Sequence, residues 1–120
     1  MTILEKIQNA DPKDIGLLDE IDKLVDGFYH RIFLNKGKPK LRSSIPPQYT
    51  RSLDASKSIQ PEGWNFECNG ICNGTFYACL SLSDATQFEA WYCKTEELAR
   101  LHVTVQALEF LEGEDENDNF

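Results

Sequence analysis

The chain has 120 residues and a formal net charge of −8, which leaves room for one domain with one core. Its acidity argues against non-specific binding to nucleic acid or to an anionic membrane. No run of about 18 or more apolar residues occurs, so no membrane-spanning helix is predicted, and the opening MTILEKIQNADPKD, with acids early and no long apolar segment, does not read as a secretory signal. A soluble, cytoplasmic protein is expected.

In chain order, Ile3, Leu4 and Ile7 share one face of a short first helix over residues 2–10. Asp11, Pro12 and Asp14 suit a second helix start, as cap, first helical position and first-turn acid. Ile15, Leu18, Ile21, Leu24, Val25 and Phe28 then recur at helical spacing, with Gly27 as the predicted stop. Residues 28–34 (FYHRIFL) read equally as strand or as further helix. NKGKPKLRSSIPPQ is a long loop, because Gly37, Pro39, Pro46 and Pro47 break regular structure. Ser52 caps a short helix over residues 53–59, with Leu53, Ser56 and Ile59 on one side. Gln60-Pro61-Glu62-Gly63 is a turn.

Three strands follow, over residues 64–69, 75–82 and 87–93, each with alternating apolar positions. Asn69-Gly70 and Asn73-Gly74 both carry hairpin-turn chemistry. The middle strand is apolar on both faces, which predicts cover on both sides of the sheet. Thr95 caps a last helix whose stripe of Leu98, Leu101, Val105, Leu108 and Leu111 is widened by Ala99, Val103, Ala107 and Phe110. Gly113 is its predicted end. The expectation is an α+β fold: helices, then a three-stranded antiparallel meander, then a C-terminal helix, in a layered α/β/α-type sandwich. Residues 1–112 form the domain and 113–120 an acidic disordered tail.

Charge is unevenly placed. Residues 1–26 sum to −4, residues 27–58 to +6 and residues 59–120 to −10. In the basic stretch Lys36, Lys38, Lys40 and Arg42 alternate, so an extended loop points them the same way. With Arg51 they form the candidate site for an anionic ligand, set against the plainer reading of a solvated loop that balances the acidic helices.

The four cysteines, Cys68, Cys72, Cys79 and Cys93, read as reduced structural thiols. The runner-up is a zinc set drawn from Cys68, Cys72, Cys79, Cys93 and His102, although three residues rather than two separate the first pair. His102 lies in the buried stripe and His30 among aromatics. Neither pairs locally with a nucleophile. No phosphate-loop, dinucleotide, zinc-protease or nucleophile-elbow pattern occurs, so no catalytic residue and no cofactor is expected.

The stretch YTRSLDASKSIQPEGW, residues 49–64, resembles the "YT-x-SLDAA…PEGW" motif of the phage ABA sandwich domain, found in small tailed-phage and prophage proteins. ILEKIQNADPKDIGLLDEIDKLV is similar to that family's opening helix pair, and KTEELARLHVTVQALEFL falls where the family has its "TP-x-ALALC-x-AALRA" helix. Ser56 and Lys57 stand where the family has small or apolar residues, and Glu96-Glu97 where it has Pro-Ala. The cysteine-rich middle and the acidic tail have no counterpart. The resemblance implies a helix–sheet–helix sandwich and a phage origin, hence a location in the host cytoplasm, and it transfers no activity.

Three functions follow as expectations. The first is a non-enzymatic phage-type protein that binds a host protein, as a counter-defence inhibitor. The second is a module that binds or sequesters a nucleotide or other small anion through residues 36–42. The third is a zinc-binding or thiol protein. An open edge of a three-stranded sheet also allows a homodimer.

Overall fold

The computed structural model describes residues 2–82 and 86–117 of the chain. The fold is α+β, with the order α1 (Ile3–Asn9), α2 (Ile15–Asn35), α3 (Leu53–Ser58), β1 (Trp64–Cys72), β2 (Thr75–Leu82), β3 (Gln87–Cys93) and α4 (Glu96–Asn117). The sheet is the expected antiparallel meander in the order β1-β2-β3.

Two predicted helix stops are passed. Asp14, not Asp11, caps α2, its carboxylate accepting from the Leu17 amide. The helix then continues through Gly27 to Asn35, so residues 28–34 are helical. The buried stripe of Leu18, Ile21, Val25, Phe28 and Ile32 runs unbroken across the glycine, and its burial outweighs the cost of one helical glycine, about 1 kcal/mol. The stop comes ten residues later. Gly37 takes φ +73°, the Lys38 amide donates to the Phe33 carbonyl at 2.8 Å, and the Gly37 amide donates to that of Leu34 at 3.0 Å. These two bonds form the Schellman arrangement that closes a helix on a left-handed glycine. In α4 the helix likewise runs through Gly113 to Asn117, so the backbone is helical over the first part of the predicted tail. Residues 118–120 lie outside the described residues.

The β1–β2 turn is Asn73-Gly74, with φ of 52° and 80°, as a two-residue hairpin turn of the primed type requires. Asn69-Gly70, the other candidate turn, lies inside β1 instead. Gly70 is needed there because Tyr77 crosses it: a Cβ at residue 70 would stand 2.7 Å from the Tyr77 hydroxyl.

α4 is the middle layer. It lies against β2 and β3, while α1, α2 and α3 pack on its other sides. Leu98, Ala99, Leu101, Val103, Val105, Ala107 and Leu108 are all completely buried, which is what a helix apolar almost all round demands. The cover predicted for both faces of the sheet is therefore helical on one face. On the other, Tyr77 stacks on Trp91 at 4.6 Å between centroids. Trp91 and Tyr92 sit where the β2–β3 register shifts, and Tyr92 adopts φ 63° at this bulge. Trp64 is buried at the start of β1, stacked on Phe88 at 5.2 Å. Ile59 packs into the core, whereas Leu53, expected beside it, is exposed.

The cysteines correct one expectation. Cys79 is disulfide-bonded, and the strand register sets Cys68 opposite it. Cys72 is an exposed free thiol at the hairpin end and Cys93 a buried one. Burial pushes the Cys93 thiol up from 9.0 to about 11. A raised folded pKa means that the stabilising contribution is complete below pH 9 and is lost as the pH climbs towards 11. Iodoacetamide should therefore label Cys72 and spare Cys93 in the native protein at pH 8. The melting temperature should fall between pH 9 and 11, and Cys93→Ala should flatten that fall. Equal labelling of both thiols would contradict the burial.

Candidate ligand groove

The loop after α2 is fixed by carboxylates on that helix. Asp22 and Asp26 are both 3 % exposed and stand four residues apart, one turn along the same face. Asp26 accepts from Arg42 Nε at 3.1 Å and from the Tyr49 hydroxyl at 2.9 Å, and His30 Nε2 lies 3.4 Å away. Asp22 accepts from the Thr50 amide and from Arg51 Nη2, each at 2.9 Å. Arg51 also reaches Asp19 at 2.6 Å. Burial, then the hydrogen bond to Asp26, holds the Tyr49 hydroxyl well above the ordinary tyrosine range.

This network divides the predicted cations. Arg42 and Arg51 turn to α2 and hold the loop down. Lys36, Lys38 and Lys40 line a groove of about 410 Å³. Its walls come from four places in the chain: Tyr29 and Phe33 on α2, Gln60 to Glu62 in the turn after α3, Trp64 and Leu82 at the sheet end, and Phe110 and Leu111 on α4. Two aromatic pairs contribute to these walls, Tyr29 and Phe33 at 4.9 Å and Trp64 and Phe110 at 5.6 Å between ring centroids. Lys40 Nζ rests 4.8 Å from the Phe33 ring centre, a cation–π contact that holds the ammonium at the groove mouth. Burial raises the Tyr29 pKa, so its hydroxyl keeps its proton as a donor. A second cleft of about 360 Å³, bounded by Asp26, His30 and Tyr49, shares Tyr29, Lys40 and Ser58 with the first.

The runner-up metal set is not brought together. Cys79 is spent in its disulfide, Cys72 is exposed and Cys93 buried, and His102 Nδ1 sits 2.7 Å from Gln106 Nε2 on α4. Burial lowers the His102 pKa, so a neutral ring accepts from that amide. Among the described residues no group of three or more His, Cys, Asp or Glu side chains is placed to hold a metal ion, and no helix is long and apolar enough to cross a membrane.

Sequence reasoning singled out the lysines but not the aromatic rings beside them, because Trp64 and Phe110 read as core and Phe33 lay in a segment left open between strand and helix. It also missed Arg100, a lone base in the apolar run of α4, whose guanidinium is buried over Phe66. That isolation within the run was the available signal.

The chain matches no protein-family model, no curated protein and no solved structure.

Tyr49→Phe removes one hydrogen bond to a buried carboxylate while keeping the ring. It should lower stability in urea unfolding by about 1.5–3 kcal/mol and expose the loop at residues 38–48 to limited proteolysis. Unchanged stability and unchanged cleavage would show that the Asp26 contact does not anchor the loop.

Proposed function

We propose that this chain is a non-catalytic binding protein whose groove takes a small anionic ligand with a flat apolar part, a nucleotide being the natural fit. One observation carries the reading: Lys36, Lys38 and Lys40 line the same groove as Phe33, Trp64 and Phe110. Lysine ammonium groups suit phosphate oxygens as mobile point charges, and an aromatic wall suits the face of a base. The groove pairs apolar and polar lining in about equal measure, and apolar walls with a few convergent polar groups are the usual form of a small-molecule site.

The test is thermal shift and calorimetry with adenosine monophosphate, adenosine and inorganic phosphate. At a hundredfold excess over Kd the bound nucleotide raises stability by about 2.7 kcal/mol. The double variant Lys38→Glu/Lys40→Glu should abolish the shift, and higher salt should weaken it. No stabilisation by millimolar nucleotide would sink the reading.

A second reading, a host-protein partner for a phage-type protein, is favoured by the open sheet face. There the stacked Tyr77 and Trp91 rings lie beside the Glu89 carboxylate, which accepts from Trp91 Nε1 at 3.0 Å. Flat aromatic faces next to a carboxylate suit an arginine side chain on a basic protein surface. An arginine-rich peptide should shift the tryptophan fluorescence of the wild type and not of Trp91→Ala. A shift that survives Trp91→Ala, or none at low salt, removes this reading.

A further inference from the structure

Arg100 is 9 % exposed on α4, and its guanidinium carbon lies 3.7 Å from the centre of the Phe66 ring. A cation this deep normally faces a carboxylate, because its desolvation is otherwise left unmatched. The chain's loop arginines follow that rule, Arg42 on Asp26 and Arg51 on Asp19 and Asp22. Arg100 does not. Its hydrogen bond goes to a neutral group, Nη2 donating to Gln60 Oε1 at 2.7 Å, and its Nε, like that of Arg51, is buried without a partner among the described residues.

The two donors share one edge. Nε–H and Nη2–H of a guanidinium form a parallel fork spaced for two oxygens of a carboxylate or phosphate. An amide has one oxygen, so Gln60 satisfies half of that edge. The rest of the Gln60 amide is engaged elsewhere, Nε2 donating to the Trp64 carbonyl at 2.7 Å. Gln60 is itself part of the groove lining. A neutral stopper thus stands between a half-satisfied guanidinium edge and a lysine-lined groove.

We propose that Arg100 is the oxyanion receptor of this groove: a phosphate or carboxylate group displaces the Gln60 amide and takes Nη2 and Nε together. The proposal rests on the groove reading for the route of entry, while the need for an anion comes from Arg100 itself. The lysines at the mouth gather the anion, and the buried fork selects two coplanar oxygens.

The test measures binding of adenosine monophosphate and of inorganic phosphate to the wild type, Arg100→Lys, Arg100→Met, Gln60→Ala and Lys38→Glu/Lys40→Glu, with melting curves taken without ligand. Arg100→Lys keeps the charge but loses the fork, so it should weaken both probes by about tenfold or more while folding. Gln60→Ala removes the stopper and should tighten phosphate, which a merely structural role for Gln60 would not produce. If Arg100→Met fails to fold, Arg100→Lys still decides. Wild-type affinity in a folded Arg100→Lys overturns the proposal, and if the lysine pair abolishes binding in the same series the groove reading survives alone. Loss of binding in Arg100→Lys with none in the lysine pair keeps the receptor and removes the groove. A wild type that binds neither probe removes both.

Discussion

Everything else in this fold is arranged around one helix that has almost no solvent face. From Leu98 to Leu108, α4 is buried at every position except Gln106, which is half-buried. A helix so enclosed needs apolar partners on all sides, and 120 residues can supply them only by placing the sheet on one side and the three shorter helices on the others. This constraint leaves the far face of the sheet without a helix among the described residues. It also forces the polar residues of α4 to find partners inside: Thr104 donates back to the Arg100 carbonyl at 2.8 Å, and Gln106 bridges His102 and the Glu89 carbonyl. Arg100 is the member for which, among the described residues, the interior supplies only a neutral oxygen.

The second constraint is on α2. Two carboxylates one turn apart, both buried, are stable there only because the returning loop brings cations and donors to them. The loop in turn has no strand or helix of its own over residues 38–52 and is held by those same contacts. The exchange is mutual. It also sorts the basic residues: an arginine fork suits a buried carboxylate better than a lysine does, so the two arginines go to α2 and the lysines are left to line the groove. A basic comb that reads as one feature in the sequence becomes an anchor and a mouth.

Most of the fold was legible because its signals are local. Alternation in residues 75–82 and 87–93, Ser52 and Thr95 as caps, and the wide stripe of α4 each point to a single element. Three of the misreadings were at glycines. Gly27, Gly70 and Gly113 all looked like punctuation, yet each lies inside an element, because a continuous buried stripe or a crossing Tyr77 ring decides the matter and neither is visible one residue at a time. Gly37, Gly63 and Gly74, all at positive φ, do act as stops and turns. The disulfide at Cys79 was hidden for a similar reason: it depends on the strand register, and the extra residue at the β1 bulge between Phe66 and Cys68 sets that register. Of the groove, the lysines were legible from their spacing. The aromatic wall was not, since it is assembled from α2, β1 and α4, which meet only in three dimensions.

An anion approaching a chain of net charge −8 meets repulsion on average, and the groove has to overcome it locally. Screening makes this feasible. At physiological ionic strength charges on the surface act over about 8 Å, so acids elsewhere on the surface contribute little at the mouth, while Lys38 and Lys40 on one groove act together. Glu62 at the rim works against them, which is where a purely surface site would be weak. A buried guanidinium is not screened in that way. Its field acts through low-dielectric surroundings, and its desolvation has already been met on folding, so an oxyanion that reaches it gains the interaction without that further cost. On the proposed reading an acidic protein holds an anion on these terms: lysines at the mouth draw it in, and one enclosed arginine fixes its orientation.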